Sequence, residues 1–165
     1  MKAWQERPIE EANLLNPAFC CVVLTSSIVG YASDKGYWMP FPLSFMILPL
    51  VLHKPTRDLL PLKTTTSFPA WIQKNASARV LFYERVVSLK PYTREALTFG
   101  LIHNWLAFQE DGNLQSIKKE TDIDKYLRKL NDEAQECVKR SHFLGKWLAK
   151  AGSPQTVMTL WGIRP

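Results

Sequence analysis

The sequence predicts a mainly α-helical fold with one small β-hairpin, arranged as a winged-helix-like module followed by a long C-terminal helix. Three observations lead there. Over the last third of the chain, apolar or small residues recur at alternating spacings of four and three. The eleven prolines fall mostly where helices begin or end. One turn signal, Glu110-Asp111-Gly112-Asn113, separates two short apolar stretches at 106–108 and 114–117, which is the pattern of a hairpin. With 165 residues, 46% hydrophobic and 22% charged, the chain has the size and composition of one domain, 1–165, that buries a core without disulfides or metal.

The elements follow in order. Asn16-Pro17 reads as an N-cap followed by proline at the first helical position, and residues 18–32 are apolar on nearly every side, so they predict a buried helix ended by Ser33-Asp34-Lys35-Gly36. Met39-Pro40-Phe41-Pro42 is expected to be an extended connector, because each proline disfavours the helical region for the residue before it. A second buried helix is expected over 43–52, bent at Pro49, then a helical turn opened by Pro55 and a surface loop over 63–66. Ser67 caps a short helix carrying Trp71 and Ile72. Ser77 caps another, expected to stop at Lys90-Pro91, and Thr93 a third, with Glu95 in its first turn.

The final periodicity runs through Ile123, Leu127, Leu130, Ala134, Cys137, Ser141, Leu144, Leu148 and Ala151, about four heptads, before Gly152 closes the helix and Ser153-Pro154 starts a short one. The middle of this seam is small, which lets a neighbouring backbone come close. That neighbour is either a helix of the same chain or one of a partner. The outer side alternates Lys125, Arg128, Lys129, Lys139 and Arg140 with Asp132, Glu133 and Glu136, a solvated face or a second contact surface.

Charge and cysteines narrow the function classes. The net charge of +6 is spread along the chain with no run of five like charges, unlike a nucleic-acid-binding tail. Three cysteines, two of them adjacent, do not make a disulfide framework, and the N-terminus lacks the features of a signal peptide, so a cytoplasmic protein with reduced thiols is expected. The apolar stretch 42–52 is too short to span a bilayer, so no membrane partner is expected.

No local motif pairs a nucleophile with His53, His103 or His142. Cys137 and His142 are too few for a metal site, and the glycines are too dispersed for a phosphate loop. The chain is therefore expected to be no enzyme and to hold no cofactor or metal. A winged-helix DNA-binding regulator is the alternative. Its groove-entering helix would run from Arg94 to Trp105, yet only Arg94 and Asn104 are base-reading types there, with Lys118 and Lys119 after the hairpin offering phosphate contacts.

A further set of short runs is spread along the chain: Arg7-Pro8, the run from Glu10 to Cys20, and Met39-Pro40-Phe41-Pro42-Leu43. Leu48-Pro49-Leu50-Val51-Leu52-His53 with Arg57, Thr93-Arg94-Glu95-Ala96 and Phe143-Leu144-Gly145 follow, then the closing Leu160-Trp161-Gly162-Ile163-Arg164-Pro165. In these runs the chain resembles the middle-component family of bacterial three-component ABC-ATPase systems, which overlaps Lamassu-type anti-phage defence. The resemblance implies a connector between an SMC-like ABC ATPase and a separate effector subunit, often a nuclease, with nucleic acid reached through the complex. Candidate protein-contact residues are Trp161 and Arg164 in the C-terminal tail, Trp147 and Arg94. The tail either meets a partner or docks on the chain's own core.

Overall fold

The computed structural model describes residues 6–163. A short α1 (Ile9–Leu14) leads into α2 (Pro17–Lys35), the helix around which the rest is built. Asn16 caps α2 as expected: its Oδ1 accepts from the Ala18 N–H at 2.8 Å and the Phe19 N–H at 3.3 Å. By length and composition α2 is apolar enough to cross a membrane, and here it is a core helix, buried from Cys20 to Ile28. Upstream, Arg7 reaches α6 (Phe82–Ile102), where it makes a two-pronged ion pair with Glu95 at 2.8 and 2.9 Å.

β1 (Met39–Pro40) follows, then a 3₁₀ turn (Phe41–Leu43) and α3 (Ser44–Val51), which tolerates Pro49 inside it. The hairpin is β2 (Leu106–Phe108) and β3 (Asn113–Ser116), turned at Gly112 with φ 79°. It gains a third strand that the turn signal does not announce. β1 pairs antiparallel with β3, Met39 opposite Leu114, giving the sheet order β1-β3-β2. Met39 is extended because Pro40 follows it, and its side chain is buried in the core.

Between α3 and α6 the chain inserts α4 (Lys54–Leu59), α5 (Phe68–Lys74) and a 3₁₀ turn (Ala76–Arg79). The two helices expected to meet at Pro91 are instead one. α6 runs straight through that proline. A proline forgoes its own N–H bond and crowds the carbonyl four residues before it, and packing on α2 and α3 holds α6 together across it. Thr93 is not a cap but a buried mid-helix residue whose hydroxyl donates to the Leu89 carbonyl.

The heptad-patterned segment divides in the opposite sense. It forms α7 (Glu120–Leu127) and α8 (Asp132–Ala149), because Asn131 turns its side chain onto the Ala134 N–H at 2.9 Å and starts a new helix. A short α9 (Pro154–Leu160) closes the described chain.

The small-residue seam of α8 has its partner within the chain: α2. Ser141 donates to the Val23 carbonyl at 2.6 Å, and Ser26 of α2 donates back to the Val138 carbonyl at 3.0 Å. Gly30 and Gly145 lie at the closest approach. A Cβ on Gly145 would stand 2.0 Å from the Ser27 oxygen, and one on Gly30 2.2 Å from the His142 oxygen.

Burial against this crossing lowers the pKa of His142 from its ordinary 6.5, with Lys146 adding to the effect and Glu120 opposing it. The unfolded chain therefore takes up this proton before the folded one does. Stability is expected to fall as the pH drops through about 6.5. A lower urea midpoint at pH 5.5 than at pH 7.5, with most of the difference gone in His142→Gln, is the expected result. His53, whose pKa is lowered by burial and by Arg85, contributes a remainder of the same sign.

Candidate protein-interaction surfaces

Trp147 and Trp161 are 1% and 2% exposed, within one aromatic cluster that also holds Phe68, Trp71 and Phe82. The Trp161 ring lies 4.3 Å from that of Phe82, and the Trp147 indole donates to the Thr66 carbonyl at 2.8 Å. Neither indole, named above as a candidate contact, is exposed in the chain. Their surface is already spent joining α5, α8 and α9 to the start of α6, so the tail docks on the chain's own core up to Ile163. Removing Trp161 would open that core rather than delete a contact. Arg164 lies outside the described residues, as does Trp4.

Arg94 is exposed, and it belongs to a surface that periodicity alone does not single out. Tyr83, Val87, Lys90 and Arg94 follow one another at helical spacing along the outer side of α6, preceded by the non-helical Val80 and Leu81. Val80, Leu81, Tyr83 and Val87 are each more than half exposed. Beside them runs a groove of about 370 Å³, walled by Phe41, Pro42, Phe45, Val86 and Met158 and rimmed by Lys90 and Arg94. Phe41 meets Phe45 edge-on and lies tilted against the half-exposed Phe108 of the hairpin, extending the apolar area to β2. Contiguous exposed apolar area bounded by charge is the signature of a contact surface.

A second, separate groove of about 620 Å³ lies where α2 and α8 begin, lined by Leu14, Phe19, Leu52, Tyr126 and Leu130. Arg57 of α4 forms its floor and is 1% exposed. Its guanidinium donates to the Val51 carbonyl at 2.8 Å and to the Cys137 sulfur at 3.0 Å, and pairs with the carboxylate of Glu133. The family-like Arg57 thus ties α4 to α3 and α8. Arg140, expected on the solvated face, likewise donates to the Leu60 and Pro61 carbonyls.

Lys118 and Lys119 stand at the base of the hairpin. Lys118 lies 5.8 Å over the Trp105 ring, while Lys119 is exposed and caps α7, its backbone N–H donating to Asp122. Glu120 follows directly, so this corner is not a purely cationic strip.

The three cysteines are buried free thiols. Burial pushes the Cys20 thiol up to about 12 and the Cys21 thiol up to about 11, far from the thiolate that nucleophilic chemistry requires. Cys137 is raised as well, chiefly by burial. Among the described residues no three His, Cys, Asp or Glu side chains come together as a metal-ligand set.

Residues 4–165 match the model of a family described as ABC-three component (ABC-3C) system Middle Component 3. No curated protein and no solved structure matches the chain.

Proposed function

The chain belongs to the ABC-three component system Middle Component 3 family, and from that premise we propose that it is a non-catalytic adaptor joining an SMC-like ABC ATPase to an effector subunit, often a nuclease, in a cytoplasmic anti-phage defence complex. The observation that carries this reading is the pair of apolar grooves, one beside α6 and one at the start of α2 and α8, which share no lining residue. An adaptor needs two surfaces that can be filled at once. The buried, protonated cysteines fit the same role, because such a subunit positions its neighbours and leaves ATP hydrolysis and cleavage to them.

The test is a three-subunit reconstitution. Tagged ATPase is expected to retain the effector only when this chain is present, and the chain alone to hydrolyse neither ATP nor DNA. Equal retention of effector without it would refute the adaptor role.

The second reading, a DNA-binding regulator, draws on the connectivity: with the inserted α4 and α5 set aside, α2, β1, α3, α6 and the β2–β3 hairpin, with β1 paired to β3, follow the order of a winged-helix module. Against it, the helix before the hairpin exposes Ile102 and carries Arg94 as the one cation between Thr93 and His103. Specific readout by such a helix needs several Arg, Lys, Asn or Gln side chains. A shift of duplex DNA by the isolated chain, weakening steeply with salt, would favour this reading instead.

A further inference from the structure

We propose that the outer face of α6, from Leu81 to Arg94, is the seat of a single amphipathic helix from another subunit of the complex, one whose apolar side ends in carboxylates. This rests on the adaptor reading and says which surface carries one of its two contacts.

The shape argument begins with the stripe. Tyr83, Val87, Lys90 and Arg94 fall within about a 60° sector of a helix with 3.6 residues per turn, and Val86 lies to one side over the groove. A groove running beside a helical ridge receives the ridge of a second helix, the packing by which amphipathic helices are recognised. The floor, Phe41, Phe45 and Met158, is apolar and already packed, so it offers pockets without needing to rearrange.

The backbone supplies an independent sign. Leu81 adopts φ 53°, a left-handed conformation that a leucine resists, while leaving its side chain 65% exposed. In the isolated chain that strain presents an apolar side chain to water. It makes sense where the side chain is covered by an occupant.

Charge decides the kind of occupant. Lys90 and Arg94 rim the groove at one end of the stripe, and neither is in an ion pair with a carboxylate among the described residues. The partner helix therefore brings acidic residues to that end and apolar ones to the Tyr83–Val87 end. A second copy of this chain, also at +6, brings the wrong overall sign.

The experiment uses the complete chain with the purified ATPase and effector subunits, measuring its affinity for each by titration at two salt concentrations. Two variants are compared with the wild type, Val87→Asp and the charge reversal Lys90→Glu with Arg94→Glu. All three positions are at the surface, and unchanged melting curves serve as the folding control. Each variant is expected to lose at least tenfold in affinity for one subunit and none for the other. The wild-type affinity for that subunit is expected to weaken with salt and that of the charge-reversed variant not to. Hydrogen exchange on the wild-type complex should protect a helical, acid-ended segment of the same subunit. Full affinity of both variants for both subunits overturns this surface and leaves the adaptor role standing, whereas no binding of wild type to either subunit ends both. Sedimentation showing a wild-type dimer that Val87→Asp splits would assign the face to self-association and overturn the proposal.

Discussion

Gly145→Ala is expected to cost about 3 kcal/mol of folding stability, the upper end for forcing a methyl group into a filled core. The added Cβ would stand 2.0 Å from the carbonyl oxygen of Ser27 and 2.8 Å from its carbon. These are backbone atoms of the central helix, so no side-chain rotation relieves the overlap. α2 and α8 must separate, which also stretches the Ser141–Val23 and Ser26–Val138 hydrogen bonds formed across the same crossing. A buried hydroxyl that loses its acceptor adds to the loss. Chemical denaturation measures the effect. Lys139→Ala, exposed on the same helix, is the comparison, expected to shift stability by no more than about 0.5 kcal/mol. Gly30→Ala, 2.2 Å from the His142 oxygen, is expected to behave like Gly145→Ala, and the double variant to cost less than the sum, because one separation of the helices accommodates both methyl groups. A Gly145→Ala protein with wild-type stability would mean that the two helices do not cross this closely.

Arg57→Ala is expected to be nearly as damaging, at about 3 kcal/mol, through loss of hydrogen bonds to buried acceptors. The guanidinium is the only described donor side chain that joins α4, the end of α3 and the start of α8 at one point. Its removal leaves the Val51 carbonyl without that donor and vacates a buried volume next to Cys137. Glu133 is 61% exposed on its side chain, so it returns to water at little cost and the charge term itself is small. Arg57→Lys separates shape from charge. A lysine keeps the positive charge but cannot present a planar fork to the carbonyl and the carboxylate together, so it is expected to recover only part of the loss. Hydrogen exchange should show opening concentrated in α4 and α5 rather than in α2. Uniform exchange through the whole chain would contradict the view that Arg57 fastens the inserted segment to the rest.

These two positions bear on the proposed adaptor role. The α2–α8 crossing is the rigid frame from which the α6 face and the Arg57 groove are displayed. A contact surface binds well when it is already in place, since ordering it on association weakens the complex. Substitutions at Gly145 should therefore disturb both proposed contacts together, through the fold, whereas those at Val87, Lys90 and Arg94 should disturb one.

Much of the local structure was legible in the residues. Asn16-Pro17 announces α2, Pro69 announces α5 although Ser67 makes no side-chain cap, and Asp111-Gly112 announces the hairpin, because helix-start and turn geometry depend on only a few neighbouring atoms. The inner face of α8 was legible too, since a four-and-three spacing places Cys137, Ser141, Leu144 and Leu148 on one side whatever covers them. The family likeness was readable in the same way, from short runs spread along the chain.

Other features depended on groups distant in sequence. Pro91 should stop a helix by local rules, and it does not, because packing on α2 and α3 holds α6 together across it. Met39 becomes a strand only because Leu114 lies opposite, 75 residues later. Trp161 is buried in the core because Phe82 is there to receive it. Of the candidate site, Arg94 could be named in advance but not the apolar stripe it ends, since Val80, Tyr83 and Val87 look like core residues until the fold leaves that side uncovered. Amino-acid order by itself settled the helical class, most of the helix and turn starts, and the side of α8 that is buried, all governed by interactions within a few residues. Which faces meet one another and which are left over was decided only by the tertiary structure, because burial is a competition among all the apolar surfaces of the chain at once.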